Sequence, residues 1–203
     1  MISILNFGSG NIASISRLIS KLGCESMVCS SPDEILLAKK IIIPGVGHFS
    51  HGMNSIKSKG LEGILNEKII QERVPVLGIC LGMQLFCQHS EEGGISGLGY
   101  IDASVKKFDF SNLDHLRIPH MGWNTIKTTR DNQLIPFSSG EQRFYFVHSY
   151  YVLPNDVDIT IATSNYGDEF CAAFQKDNIF GVQFHPEKSH NFGIRLLKKF
   201  IDL

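Results

Sequence analysis

The first half of the chain alternates between two patterns of apolar and polar positions. Continuously apolar runs of strand length predict buried strands at residues 2–6, 26–29, 40–43 and 74–79. Between them, apolar residues recur every three or four positions and predict helices at residues 11–22, from 32, at 49–57, 61–71 and from 81 to about 89. This alternation predicts an α/β fold, a doubly wound and mostly parallel central sheet with helices on both faces. In such sheets, sites lie at the carboxyl ends of the strands.

The second half of the chain is dominated by strands. Its pattern predicts strands at residues 100–108, 124–128, 144–148, 159–164, 170–175 and 179–184, and a final helix at 191–201. We interpret this β-rich C-terminal half as an extension of the same core, because no low-complexity linker or internal repeat separates the halves. Residues 1–203 are therefore predicted to form a single domain.

The composition narrows the class of protein. Hydrophobic residues make up 43% and charged residues 19%, and the formal net charge of −1 gives no reason to expect nucleic acid or a membrane as partner. No apolar run approaches the roughly 20 residues of a membrane-spanning helix. The N-terminus is predicted to be a strand rather than a signal peptide. We expect a soluble protein.

The cysteines and histidines argue against a disulfide framework and a metal site. The chain contains five cysteines: Cys24, Cys29, Cys80, Cys87 and Cys171. They show no CxxC or paired spacing, so we expect free thiols in a reducing cytoplasm. His48 and His51 have no cysteine or carboxylate at the spacing of a zinc site, so we predict no metal and no cofactor.

The segment Gly78–Gly82 reads GICLG and joins a predicted buried strand to a predicted helix. This is the nucleophile-elbow pattern with Cys80 at the position of the nucleophile, and the flanking glycines leave room for a sharp turn. The positive end of the helix would favour the thiolate of Cys80, and the Leu81 N–H would be available to an oxyanion. The alternative is a buried cysteine in a tight turn, since GxCxG alone is only moderately specific.

A candidate base follows another predicted strand. Residues 180–184 run directly into His185, Pro186 and Glu187, and Pro186 favours extended geometry for His185. Residues two apart on an extended chain share a face, so Glu187 would orient the imidazole as the third member of a nucleophile–base–orienter set. The alternative is a surface His–Glu pair at a strand end. The joint occurrence of both motifs at strand ends favours an active site.

Five motifs in order carry a resemblance to a known family: PGVGHF (44–49), GICLGMQL (78–85), PHMGWN (119–124), FVHSYY (146–151) and GVQFHPEKS (181–189). Together with the opening GSGN, the chain resembles class I glutamine amidotransferases. More narrowly, it resembles the glutaminase subunits of imidazole glycerol phosphate synthases, which act in histidine biosynthesis. The resemblance runs from the first strand to the last helix. It assigns no role to the loops at 109–115 and 129–140.

The resemblance implies a reaction and a set of roles. Cys80 would attack the side-chain amide of glutamine and release ammonia, water would hydrolyse the glutamyl thioester, and His185, held by Glu187, would carry the protons. Leu81 would supply one oxyanion donor, and the backbone of the PGVG loop, at Val46 and Gly47, the other. The glutamine would be surrounded by Gly45, Gln84, Glu92, His148, Ser149 and Tyr150.

The resemblance also implies a partner. Ammonia would pass to a cyclase subunit with a (β/α)₈ barrel, which makes imidazole glycerol phosphate and an aminoimidazole carboxamide ribotide, in a heterodimer. The residues implied at that interface are Asn11, Pro119, Met121, Trp123 and Lys188. For Trp123, the only tryptophan, simple core packing is the alternative. The glutaminase on its own is expected to be a poor catalyst, because docking would complete the oxyanion hole at the PGVG loop.

Three other functions stay open at this point. A paralogous glutaminase supplying a cyclase-like partner in surface or flagellar sugar biosynthesis would share the same active site. A non-catalytic binding subunit is disfavoured by the intact Cys80, His185 and Glu187. A DJ-1-like or peptidase relative is disfavoured by the residues implied in the glutamine pocket.

Overall fold

The computed structural model describes residues 1–110, 116–137 and 140–203. Its strands are β1 (Ile2–Leu5), β2 (Ser26–Cys29), β3 (Ile41–Gly45), β4 (Val76–Cys80), β5 (Cys87–Ser90), β6 (Ile95–Ser96), β7 (Ile101–Lys107), β8 (His120–Thr128), β9 (Gln142–His148), β10 (Tyr150–Pro154), β11 (Thr160–Tyr166), β12 (Asp168–Lys176) and β13 (Ile179–Val182). Its helices are α1 (Ile12–Lys21), α2 (Pro32–Ile35), α3 (Phe49–Ser58), α4 (Leu61–Asn66), α5 (Leu81–Leu85) and α6 (His190–Asp202). A π-helical segment at Glu67–Gln71 continues α4, and short 3₁₀ turns lie at Val157–Ile159 and Pro186–Lys188.

The central sheet has a parallel half and a mostly antiparallel half. The parallel strands run in the order β2-β1-β3-β4-β13. From β13 the sheet continues antiparallel through β12 and β10 to β7, and a branch from β12 carries β11, β8 and β9. The predicted α/β fold with a β-rich C-terminal half is confirmed. The arrangement brings the carboxyl ends of β3, β4 and β13 side by side.

Two hydrophobic cores lie on the two faces of the sheet. Helices α3, α4 and α5 pack on one face, where Phe49, Leu65 and Leu85 are fully buried. Helices α1 and α6 cover the other face with Ile19 and Phe200. Neighbouring positions in the parallel strands point alternately into one core and the other, which explains why these strands are apolar at nearly every residue.

The predicted helix from Leu81 to about residue 89 is wrong beyond Leu85. The chain leaves the helix at Phe86 and forms β5, so Cys87 lies in a strand and not in a helix. The cause is a returning segment whose N–H groups take the carbonyls of this stretch: Leu98 bonds to Leu85, and Ile101 bonds to Phe86. These long-range bonds replace the helical i→i−4 ladder.

Other predicted bounds differ by smaller amounts. Strand β8 begins four residues before the predicted 124, at His120, and the strand β10 (Tyr150–Pro154) was not predicted. Of the two loops without an assigned role, residues 111–115 and 138–139 lie outside the described part of the chain. Among the described helices, none is long and apolar enough to cross a membrane.

Candidate active site

Cys80 ends β4 and directly precedes α5, in the strained backbone of a nucleophile elbow. Its φ of 54° lies in the left-handed region that side chains rarely adopt. The neighbouring glycines are required by close packing: a Cβ on Gly82 would lie 1.8 Å from the Ile43 carbonyl oxygen. A Cβ on Gly78 would meet the Gly82 carbonyl at 2.6 Å. The strand-to-helix turn therefore has the geometry that the GICLG pattern predicts.

His185 and Glu187 form a buried pair beyond the end of β13. The His185 Nδ1 lies 2.9 Å from the Glu187 Oε1, and their side chains are 2% and 1% exposed. The predicted pairing is present, and His185 has the predicted extended geometry, with φ −104° and ψ 96°. The chain does not stay extended as far as Glu187, since Pro186–Lys188 form a 3₁₀ turn. That turn is held by Ser189, whose hydroxyl donates to the His185 carbonyl at 2.6 Å and accepts from the Tyr145 N–H at 3.0 Å.

The thiol and the imidazole interact electrostatically. Burial opposes charging of the His185 ring, but the Cys80 sulfur and the Glu187 carboxylate outweigh it and raise the pKa of His185 above its ordinary value. The ring nitrogen Nε2 is buried without a hydrogen-bond partner in the described structure, and the thiol contacts the Val147 carbonyl at 3.8 Å. A raised histidine pKa favours an imidazolium beside a thiolate, the form of cysteine that attacks a carbonyl carbon.

A cavity of about 310 Å³ opens in front of the sulfur. It is lined by Val46, Gly47, Cys80, Leu81, Gln84, Glu92, Pro119, Val147, His148, Ser149 and Tyr150. Every residue that the resemblance implies for the glutamine pocket or oxyanion hole is in this lining except Gly45. Gly45 lies in β3, where a Cβ would collide with Leu81.

Polar side chains of the cavity are held in place from behind. Gln84 is 4% exposed, and its Nε2 donates at 3.0 Å both to the Tyr150 carbonyl and to the Gln183 Oε1. The Glu92 Oε2 accepts the Phe49 N–H at 2.8 Å. Both side chains therefore enter the cavity with restricted freedom, which favours a specific ligand.

The two candidate oxyanion donors, the N–H groups of Leu81 and Val46, differ in whether they already have a hydrogen-bond acceptor. Leu81 is the first residue of α5, so its N–H has no intrahelical acceptor. The Val46 N–H, by contrast, donates to the Ser9 hydroxyl at 2.9 Å, and that hydroxyl donates to the Val46 carbonyl. Ser9 therefore binds both backbone groups of Val46, its N–H and its carbonyl, and the N–H is not available to a ligand.

The residues implied at a partner interface are at the surface. Met121 and Trp123 are 61% and 40% exposed on β8, and Pro119 at the cavity rim and Lys188 are also exposed. Because Trp123 is exposed and stacks on His190, itself exposed, at 5.3 Å between ring centroids, the alternative of core packing does not hold for it. Asn11, the residue before α1, is only partly exposed.

Several residues around the site were missed by sequence reasoning. Gln183 is fully buried and places its Nε2 3.6 Å from the Cys80 sulfur, and His120 bonds to His148. Ser9 and Ser189, described above, complete the set. Their motifs were recognised, but glutamine, histidine and serine inside a motif carry no signal of their partner until the strands are assembled.

The remaining cysteines and histidines lie apart from the cavity. Burial raises the pKa of the Cys29, Cys87 and Cys171 thiols, which keeps them protonated and unreactive. His48 accepts a hydrogen bond from the Ser50 backbone at the start of α3, and its ring contacts that of His51 at a tilt of 44°. In the described part of the chain, no group of three or more potential ligands could hold a metal ion.

Comparison with known proteins identifies the family. The family "Glutamine amidotransferase class-I" matches residues 3–203. Solved structures of low sequence identity share the fold: a putative GMP synthase protein from Thermoplasma acidophilum has a TM-score of 0.73 at 18% identity over 99% of this chain and 92% of its own. Another glutamine amidotransferase has a TM-score of 0.74 at 17% identity, over 99% and 97%. The chain belongs to the class I glutamine amidotransferase family.

More similar relatives narrow the group. An "imidazole glycerol phosphate synthase subunit HisH 2" of Methanococcus maripaludis is 49% identical, over 99% of this chain and 98% of its own length. Proteins named imidazole glycerol phosphate synthase subunit HisH 2 in Pseudomonas aeruginosa and subunit HisH in Leptospira borgpetersenii are each 42% identical over the full length of both chains. The similarity therefore covers every motif of the candidate site.

Proposed function

We propose that this chain is the glutaminase subunit of an imidazole glycerol phosphate synthase. It hydrolyses L-glutamine to L-glutamate and ammonia, and the ammonia is delivered to a cyclase subunit. The observation that carries the proposal is the Cys80 elbow beside the buried His185–Glu187 pair, 2.9 Å apart, at a cavity of about 310 Å³. The full-length HisH relatives support it and do not favour the paralogous sugar-pathway alternative.

The first half-reaction forms a thioester. The Cys80 thiolate attacks the amide carbon of glutamine, so a carbon–sulfur bond forms and the amide oxygen becomes negatively charged. The Leu81 N–H at the start of α5 stabilises that oxygen. The His185 imidazolium then donates its proton to the nitrogen, the carbon–nitrogen bond breaks and ammonia leaves. Glu187 orients the ring and stabilises its charge throughout.

The second half-reaction releases glutamate. Neutral His185 accepts a proton from water, the resulting hydroxide attacks the thioester carbon, and a second oxyanion forms. Collapse of that intermediate breaks the carbon–sulfur bond and returns the thiolate beside the imidazolium. The same residues serve both halves, because the leaving group of one is the nucleophile of the other.

The lining of the cavity fits glutamine. Glu92 supplies a carboxylate for the α-ammonium group, and the backbone of Ser149 and Tyr150 borders the same space. Gln84 supports the Tyr150 carbonyl from behind. The cavity volume suits an amino acid of this size rather than a peptide. This favours free glutamine over a protease-like substrate.

The cyclase partner is proposed to dock on the surface around β8. Trp123 and Met121 are exposed there, Trp123 stacks on His190, and the Lys188 Nζ lies 5.5 Å from the centre of the Tyr145 ring. An aromatic and methionine cluster beside a cation is typical of an interface anchor. We propose that the partner is a (β/α)₈ barrel, as the family resemblance implies. A cytoplasmic location and a single domain over residues 1–203 stay predictions.

Docking is proposed to activate the site at the PGVG loop. Because Ser9 binds both the N–H and the carbonyl of Val46, the loop must rearrange before the Val46 N–H can stabilise an oxyanion. We expect glutamine turnover to be low for the isolated chain and to rise by orders of magnitude with the partner. Trp123→Ala should weaken this activation, whereas Val157→Ala, at a residue 73% exposed, should not. Equal turnover with and without partner would contradict the idea.

Replacement of the nucleophile tests the proposed chemistry. Cys80→Ala should abolish glutamine hydrolysis in the complex, because no other described thiol lies at the cavity, and should leave partner binding intact. Cys24→Ala, at a cysteine outside the cavity, is the control and should keep wild-type turnover. Ammonia release by the Cys80→Ala complex at the wild-type rate would overturn the thioester mechanism.

A further inference from the structure

Two buried histidines meet where β8 begins and β9 ends. His120 and His148 are register partners in the antiparallel pair, and they are 3% and 6% exposed. The His120 Nδ1 lies 2.9 Å from the His148 Nε2. His148 lines the cavity, whereas His120 does not. A ring outside the cavity therefore contacts one of the rings inside it.

The hydrogen atoms of this pair can be assigned from their outer partners. The Tyr150 carbonyl, 2.8 Å from the His148 Nδ1, can only accept, so His148 carries its proton on Nδ1. Burial lowers the pKa of His148 to about 3 and that of His120 to about 4, so both rings are neutral. The His148 Nε2 must then accept from the His120 Nδ1–H. The His120 Nε2 in turn accepts from the Asn124 amide at 3.2 Å.

The outer end of this chain is anchored. The Asn124 Nδ2 also donates to the Asn165 carbonyl at 2.8 Å, and its Oδ1 accepts the Thr125 N–H at 2.8 Å, which fixes the orientation of the amide. The His120 ring is stacked between Tyr166 at 4.1 Å and Phe146 at 4.8 Å. His120 therefore has a single orientation in which its Nδ1–H points at His148.

The inner end of the chain is a corner of the cavity wall. Strand β9 ends at His148 and β10 begins at Tyr150, so Ser149 forms the bend between them. The Tyr150 carbonyl accepts one hydrogen bond from His148 and one from Gln84. If His148 shifted its proton to Nε2, the bond to Tyr150 would be lost and one support of the corner would go with it.

We propose that His120 is a positioning residue for glutamine: it holds His148 in the tautomer that keeps the Tyr150 carbonyl, and with it the Ser149 corner, in the binding conformation. The proposal rests on the proposed function, because it concerns the same cavity. It assigns His120 to substrate binding and not to the chemical step, since the His120 ring bonds to His148 and Asn124, whereas Cys80 ends β4 and His185 follows β13.

A pair of variants tests the role in catalysis. His120→Phe keeps a planar ring between Tyr166 and Phe146 but removes the donor, and loss of one such hydrogen bond should raise KM for glutamine roughly three- to tenfold with kcat little changed. His120→Asn places an amide N–H near the position of Nδ1 and should restore KM. His89→Phe, at an exposed histidine, is the control. Lower kcat with unchanged KM in His120→Phe would indicate lost folded enzyme and overturn the proposal.

A measurement on the wild-type chain tests the proposal without relying on variants that fold. Nitrogen-15 NMR of the ring nitrogens should show the proton on Nδ1 in both His120 and His148 at neutral pH. A proton on the His148 Nε2 would overturn the proposal. If the wild-type complex did not hydrolyse glutamine at all, the proposed function would fail, and the tautomer result would distinguish that failure from this one.

Discussion

The Cys80 sulfur receives a hydrogen bond from a side chain that is itself fixed from the far side. The Gln183 Nε2 lies 3.6 Å from the sulfur, and its Oε1 accepts from Gln84. Since Oε1 is occupied by a donor, the amide must present its NH₂ group to Cys80. A donor held in this way stabilises the thiolate without any reorientation when the charge forms.

Replacing Gln183 by leucine should slow the chemical step. Gln183→Leu preserves the approximate size of the side chain but removes the donor to the thiolate, and a hydrogen bond to a charged group contributes about 1.5–3 kcal/mol, or roughly a ten- to hundredfold effect on kcat. Steady-state kinetics of the complex measure it, together with the rate of iodoacetamide alkylation of Cys80. Gln175→Leu is the control, since Gln175 bonds to Gln133 at the surface. Unchanged kcat and alkylation in Gln183→Leu would contradict the role.

At the scale of single residues, the sequence predicts a role where the neighbouring residues form a recognisable catalytic motif. Cys80 between glycines and His185 followed by Pro186 and Glu187 are such patterns, because local geometry follows from the chain itself. Gln183 and His120 could not be assigned roles, since each acts through a residue far away in sequence. A buried amide or ring has no function that can be read before its partner is known.

At the scale of elements, the turn between β4 and α5 depends on contact with β3. Helix α5 lies so close to that strand that the Ile43 carbonyl oxygen occupies the space that a Cβ on residue 82 would need. The contact explains why the helix can begin immediately after Cys80, with its first residue, Leu81, in the lining of the cavity. The elbow is thus a property of three elements and not of the turn alone.

Alanine substitutions at two helical glycines should separate the effect of this close packing on stability from the effect of helix propensity. Gly82→Ala places a Cβ 1.8 Å from the Ile43 oxygen and should lower the free energy of unfolding by more than about 3 kcal/mol. Gly63→Ala, in α4 with no atom within 4 Å of the new Cβ, should instead raise it by about 0.5–1 kcal/mol. Urea unfolding of both variants measures the difference. Equal stability of the two variants would show that α5 can move away from β3 at little cost.

The wrong element predictions have a common origin. The pattern after Leu81 is helical as far as residue 89, yet the helix ends at Leu85 because N–H groups from residues 97–101 bind the carbonyls of residues 85–88. Likewise, Glu187 reaches His185 through a 3₁₀ turn rather than along extended chain, and Ser189, which holds this turn, is itself fixed by the Tyr145 N–H. In both cases a long-range hydrogen bond decides a local conformation, and no window of sequence contains it.

At the scale of the whole molecule, buried neutral histidines link stability to pH. Burial lowers the pKa of His120 to about 4 and of His148 to about 3, whereas both titrate near 6.5 in an unfolded chain. Below that pH the unfolded state binds more protons than the folded state. The stabilisation is therefore full above about pH 6.5 and is lost as the pH falls toward the folded values.

Between pH 7 and pH 5, each of these histidines should reduce the free energy of unfolding by about 1–2 kcal/mol. His185 acts in the opposite sense, because its pKa is raised, so its contribution is fully present at low pH and is lost as the pH rises. Urea unfolding of the wild type and of His120→Phe at both pH values separates the contribution of His120 from those of the other histidines. From pH 7 to pH 5, the free energy of unfolding should fall less in the variant than in the wild type, by about the 1–2 kcal/mol of one histidine. An identical loss in both proteins would mean that His120 takes up its proton as readily in the folded as in the unfolded chain, so that burial does not lower its pKa.

The amino-acid pattern was enough to predict the alternation of strands and helices, and to mark Cys80, His185 and Glu187 as candidates by their local motifs, because these signals come from neighbouring residues. Three features could be found only in the assembled fold: the ends of β3, β4 and β13 lie side by side, Ser9 binds the backbone of Val46, and His120 and Gln183 support the cavity. These features are hydrogen bonds and register choices between distant segments, and such contacts exist only once the sheet has formed.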